Sequence, residues 1–198
     1  MRPYDRRVRL VGAIVTSVVM FFGAIQVRER IDASPPLRSD VPCQAPQPTA
    51  VDPTIRVDGA VLARSGPMSL EDAVGGKYAS DARRAALARG SVVSARFEDW
   101  QYGTDLVSVR VLEFTSQQAA LDYSAVDAET ICAFTLSTFE PAGLVGGSGV
   151  RQPWENGPDG WWVGVLADVR YVRSYVRTPR HDVGDDLAAD AIVRALSG

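Results

Sequence analysis

Lysine, asparagine and histidine each occur once in this 198-residue chain, as Lys77, Asn156 and His181, and cysteine only twice. A single histidine argues against a multi-imidazole metal centre. It also leaves any serine nucleophile without a recognisable base and orienter. The two cysteines, Cys43 and Cys132, lie too far apart in sequence to form a compact thiolate set. Lysine and asparagine have AT-rich codons, so their scarcity beside abundant arginine, alanine, valine and glycine points to a high-GC genome, as in actinobacteria. That concerns origin and carries no chemistry.

Charge is also missing locally. Leu10 to Val27 (LVGAIVTSVVMFFGAIQV) contains no charged residue. At 1.5 Å per residue such a helix spans about 27 Å, near the roughly 30 Å of a hydrocarbon core. Thr16, Ser17 and Gln26 form no polar stripe, which argues against an amphipathic soluble helix. Arg2, Arg6, Arg7 and Arg9 precede the run, whereas Arg28 and Arg30 beyond it are offset by Glu29 and Asp32. The positive-inside bias therefore keeps the N-terminus in the cytoplasm.

The expected organisation follows. Residues 1–9 are a basic cytoplasmic tail, and 10–27 a single-pass signal-anchor in the lipid bilayer of the plasma membrane. Residues 28–65 are a proline-rich extracytoplasmic linker, and 66–198 an extracytoplasmic domain. A cleaved signal peptide is the rival reading, but its cleavage motif, Ile31-Asp32-Ala33, would follow the charged Arg28-Glu29-Arg30, a poor setting. No cysteine sits just past the apolar run, which argues against a lipoprotein. From residue 31 onward acidic residues outnumber basic ones by 22 to 15. That balance argues against nucleic acid or anionic lipid as the outer domain's main partner.

The linker holds Pro35, Pro36, Pro42, Pro46, Pro48 and Pro53 and reads as an extended spacer. An exported pair of cysteines is most simply a disulfide, here Cys43–Cys132. So long a closed loop sets a ceiling of about 4–5 kcal/mol on its contribution.

In the outer domain, Ser69 and Ser80 begin two short helical stretches, with Gly75-Gly76 and Gly90 as terminators. Val92–Trp100 and Leu106–Phe114 form a hairpin, with Val107, Val109 and Val111 on one face. Thr115 is the expected cap of a helix bearing Ala119, Tyr123 and Val126, with Gln118 completing a capping box. Pro141–Pro153 reads as a glycine-rich connection. Trp161–Leu166 and Val169–Arg177 form a second hairpin, and Asp185–Leu196 an amphipathic helix. The fold class is α+β: two β-hairpins build an antiparallel sheet with helices packed on one face.

No residue set carries a catalytic motif. The acidic run Asp182, Asp185, Asp186 and Asp190 reads as capping for the last helix rather than a metal site. Gly143, Gly146, Gly147 and Gly149 lack the lysine and flanking elements of a phosphate loop. Trp161 and Trp162 must point to opposite sheet faces. Trp154 and Trp162, with Tyr171, Arg173 and Tyr175 along one face of the final strand, are therefore the candidate ligand or partner surface. That surface sits beside the plainer reading of core and solvent-covered sheet.

Several segments together carry a likeness. Arg96-Phe97-Glu98-Asp99-Trp100 stands in a first strand, followed by Val109-Arg110-Val111-Leu112-Glu113-Phe114-Thr115-Ser116-Gln117-Gln118-Ala119-Ala120. A glycine-rich loop, an aromatic hairpin and an alanine-rich helix complete it. Over roughly Gly66 to Gly198 this layout resembles actinobacterial membrane-anchored or lipoprotein-like extracytoplasmic domains of uncharacterised function. The resemblance implies location and fold and supplies no catalytic residues and no cofactor. The expected function is a non-enzymatic domain that binds a partner protein or a cell-envelope ligand such as a glycan. The alternative is a ligand-sensing or substrate-delivery domain with a pocket between sheet and helices, and a hydrolase ranks third.

Overall fold

The computed structural model describes residues 44–51, 55–76, 80–90, 92–132, 137–153, 157–180 and 182–198. The expected anchor at 10–27, Cys43, Trp154 and His181 lie outside them. No helix among the described residues is long and apolar enough to cross a membrane.

The strands are β1 (Ala50–Val51), β2 (Ala60–Pro67), β3 (Val92–Tyr102), β4 (Asp105–Phe114), β5 (Ser137–Phe139), β6 (Leu144–Val145), β7 (Ser148–Gln152), β8 (Asp159–Ala167) and β9 (Arg170–Thr178). The helices are α1 (Leu70–Val74), α2 (Asp81–Arg89), α3 (Gln117–Cys132) and α4 (Gly184–Ser197). Seven strands form one antiparallel sheet in the order β2-β3-β4-β9-β8-β7-β5, and β1 pairs with β6 beside it.

Three features differ from the sequence expectation. First, helices cover both faces of the sheet, not one. Val107, Val109, Val111, Val163, Val165, Val172 and Val176 pack against α4. Leu112, Phe114, Leu166 and Tyr171 face the other way, onto α1, α2 and α3. The reason lies in β4 itself, which is apolar on both sides near its end, where Leu112 and Phe114 follow Val111. A strand of that kind is buried on both faces.

Second, residues 60–65, expected as the end of a linker, belong to the sheet. Residues 60–67 pair with β3 from Ala60↔Tyr102 to Pro67↔Arg96, as an edge strand with a bulge between Leu62 and Arg64. Third, part of the glycine-rich connection is strand. Gly149 lies opposite Phe139, and a Cβ there would stand 2.4 Å from the ring. That glycine serves close packing.

Two helix caps stand as expected and two are shifted. The Ser69 and Ser80 hydroxyls accept from the N–H of Asp72 and Arg83. The cap of α3 is Ser116, which accepts from Ala119 N–H, rather than Thr115. The N-cap of α4 is Val183, with no side-chain cap hydrogen bond. Asp185 and Asp186 instead lie in its first turn, where carboxylates favour the helix dipole.

Gly184 opens α4 against Trp161. A Cβ at this position would lie 2.4 Å from the indole nitrogen. Gly→Ala in a helix ordinarily stabilises by up to about 1 kcal/mol. Here we expect Gly184→Ala to destabilise by about 1–3 kcal/mol, because the buried indole has to shift. Chemical denaturation followed by tryptophan fluorescence gives the sign; a gain in stability contradicts this packing.

Candidate functional site

The sheet face that carries α1, α2 and α3 changes character along its strands. In an antiparallel sheet, residues directly opposite one another share a face. The register therefore sets out successive rows. Ala95, Leu112, Tyr171 and Leu166 form a buried apolar row. The next row is Phe97, Arg110, Arg173 and Gly164, and the one beyond it Asp99, Ser108, Tyr175 and Trp162. The helices sit on the apolar end, where burial removes the most hydrocarbon from water. Toward the other end exposure rises: Ser108, Trp162 and Tyr175 are half-buried and Arg177 is exposed.

At the boundary between the two ends lies a charge cluster centred on Asp127, which is fully buried on α3. Nη1 of Arg173 donates to both carboxylate oxygens, at 2.7 and 2.8 Å. Tyr171 Oη donates to Oδ2 at 2.7 Å, and Arg83 Nε pairs with Oδ1 at 2.6 Å. Burial on its own would raise the Asp127 carboxyl, but the Arg173 and Arg83 charges and the hydrogen bonds from Tyr171 and Arg173 hold it below the usual carboxylate range. Burial likewise opposes the charge of Arg173, and Asp127 more than restores it. Burial pushes the Tyr123 phenol beside them up to about 12.

Arg110 stands apart from that network. It lies directly opposite Arg173 on the neighbouring strand. Its guanidinium makes one hydrogen bond among the described residues, from Nη1 to the Ala73 carbonyl at 3.3 Å. Burial and then the charge of Arg173 lower its pKa. Two guanidiniums thus engage one carboxylate, and a third stands beside them, within reach of the charge of Asp127 but not paired with it.

One row away, Trp162 and Tyr175 stack with ring centroids 4.6 Å apart and planes 30° apart. Gly160 lies two residues before Trp162 on the same face. A Cβ there would meet the indole at 3.0 Å and the phenol at 3.2 Å, so glycine lets the rings lie across the strand. Burial raises the Tyr175 phenol, partly countered by Arg177. Asp99, in the same row, is ion-paired with Arg64.

The structure therefore brings Trp162 and Tyr175 together, with Arg173 next to them. It buries Tyr171 beneath α3 as a hydrogen-bond donor rather than placing it on a surface. Arg83, Arg110 and Asp127 were not singled out from sequence, although a signal was present. The buried positions of α3 are Ala120, Tyr123, Ser124, Asp127 and Ala128, so an aspartate stands within an apolar stripe and requires a buried cation. Asp190, from the acidic run of the last helix, is taken up by Arg194 Nε and Tyr102 Oη, both at 2.7 Å. The space between sheet and α3 is filled by Phe114, Tyr123 and Tyr171, whose rings pack at 5.5 and 5.7 Å. A hollow of about 210 Å³ lies elsewhere, lined by Gln44, Gln47, Phe139 and Gly146–Gly149.

Cys132 ends α3 and is not a free thiol. Its expected partner, Cys43, lies outside the described residues.

These features define a class: an α+β domain with an antiparallel sheet helix-covered on both faces, one of them only in part, leaving a row with two arginines beside an aromatic row. No protein-family model matches the chain, and no curated protein sequence does. Among solved structures the chain is similar to the extracellular domain of PknH from Mycobacterium tuberculosis, at 12% identity and a TM-score of 0.39, over 69% of this chain and 81% of that one. A likeness at that level transfers neither ligand nor activity.

Proposed function

We propose that the chain is a membrane-anchored, extracytoplasmic and non-enzymatic domain. It binds a partner protein or a cell-envelope ligand on the partly covered sheet face bearing Trp162 and Tyr175. Residues 10–27 anchor it in the plasma membrane with the N-terminus in the cytoplasm. A Cys43–Cys132 bridge ties the spacer to the end of α3.

The observation that carries this reading is the Trp162–Tyr175 stack. Two large aromatic rings lie half-buried in a row whose neighbours are charged or polar. Rigid aromatics in such a setting contribute most to recognition, because little side-chain entropy is lost on binding. The alternative of a pocket between sheet and helices draws no support from the space beneath α3, which Phe114, Tyr123 and Tyr171 fill among the described residues.

Site-specific photocrosslinking in intact cells tests the proposal. A photoreactive residue at position 162 of the full chain is expected to give a discrete adduct, and one at exposed Arg89 on α2 none. Equal labelling at both positions, or free monomer alone at both, counts against a binding face. Cleavage of the outer domain by protease added to intact cells is the expected companion result, and protection under proven access overturns the placement.

A further inference from the structure

Resting on that binding reading, we infer that Arg110, with Arg173 beside it, is the seat of an oxyanion belonging to an anionic sugar, whose ring lies against the Trp162–Tyr175 stack.

The first argument is charge. Arg83 and Arg173 both engage Asp127, and Arg173 occupies both of its oxygens. Arg110 has only a long hydrogen bond to a neutral carbonyl. Like charges placed directly opposite one another across two strands destabilise the sheet. An arginine kept in that position with only the distant charge of Asp127, and no carboxylate paired with it among the described residues, is ready to meet a negative charge from outside the chain. Its planar fork of N–H donors matches carboxylate and phosphate oxygens.

The second argument is access. Arg110 is half-buried, and none of its nitrogens is both sealed from solvent and without a hydrogen bond. Donors not bonded to Ala73 thus keep some contact with solvent. The third is position. Arg173 and Tyr175 are two residues apart on one strand and point the same way, which separates the rows by about 7 Å. One ligand can therefore place an oxyanion at Arg110 and a flat apolar ring face on the stack. Aromatic faces receive pyranose rings through the same apolar contact that they offer to one another.

The test uses the full chain in detergent micelles, with D-glucuronate, D-glucose 6-phosphate, D-glucose and inorganic phosphate as probes. Tryptophan fluorescence and the thermal midpoint report binding. One or both anionic sugars are expected to bind saturably, and the tighter of the two identifies a carboxylate or a phosphate as the source. Glucose should not bind. Arg110→Gln should weaken the anionic sugars at least roughly tenfold, as befits a lost charge-assisted pair. Trp162→Ala should weaken the sugars to a similar degree and leave inorganic phosphate unchanged.

A second readout separates recognition from a structural role. Without probe, Arg110→Gln should raise the midpoint by about 2 °C, since it relieves the opposition to Arg173. A fall in the ligand-free midpoint makes Arg110 a structural residue and overturns the inference. So does undiminished binding by folded Arg110→Gln, binding of glucose equal to glucuronate, or no saturation by any probe below about 10 mM. Failure here together with a crosslink at position 162 removes the oxyanion seat and leaves the binding face. Arg110-dependent sugar binding without that crosslink removes the proposed partner and leaves the seat.

Discussion

Asp127→Ala is expected to lose about 3–5 kcal/mol of unfolding free energy, the cost of leaving a buried charge without its partner. The upper end is the better expectation. Arg83 and Arg173 would both lose their carboxylate, and Tyr171 Oη its acceptor, where Asp127 itself is fully buried. A domain of this size has about 5–15 kcal/mol in hand, so much of its margin would vanish. Asp127→Asn should fall between, because it keeps an acceptor for Tyr171 and loses the charge.

The pH dependence carries the same signature. The folded-state pKa of Asp127 lies below its ordinary value of 3.8. A depressed carboxyl contributes stability that is complete above the unfolded pKa and is lost as pH falls through the folded one. The gap between wild type and Asp127→Ala should therefore be constant above about pH 5 and narrow as pH falls below it. Denaturant midpoints of both proteins between pH 7 and 2.5 check this; a gap unchanged at the acid end contradicts the ion-pair account.

Trp161→Ala is the second large effect, at about 3–5 kcal/mol. Trp161 is 3% exposed and packs edge-on against Phe139 at 5.5 Å, with the Arg151 guanidinium 5.1 Å from its ring. Its indole N–H is buried and has no hydrogen-bond acceptor among the described residues. Trp161→Phe should consequently cost much less than alanine, since it keeps most of the apolar contact and removes an unsatisfied donor. The adjacent Trp162→Ala should change stability by no more than about 1 kcal/mol, because its ring is only half-buried. Equal losses at 161 and 162 would mean that both faces are sealed there, and that the aromatic row is core.

The difference between the two tryptophans was legible in the sequence, because side chains along a strand alternate and consecutive residues must part. So were the valine face of β4 and the serine caps of α1 and α2. All rest on neighbours a few positions apart, where backbone geometry alone fixes direction. The edge strand β2 was not legible. Its sequence, AVLARSGP, ends in proline and has no clean alternation, and only pairing with β3 makes it a strand. β7 was hidden in glycines whose role appears once Phe139 is seen against Gly149.

The sequence by itself determined an uncharged stretch of bilayer length behind four arginines, an acidic domain, and elements of mixed helix and strand. Those depend on composition and local period, and they do not change with the way the chain closes on itself. The tertiary structure decided that helices lie on both faces, that they gather at the apolar end of one of them, and that Arg83 and Arg173 pair with a single aspartate while Arg110 stands beside them unpaired with it. Arg83 comes from α2, Arg110 from β4, Asp127 from α3 and Arg173 from β9. Electrostatic partnership falls off with distance in space and is indifferent to distance along the chain, so no reading of neighbours reveals which charge is answered and which is left over.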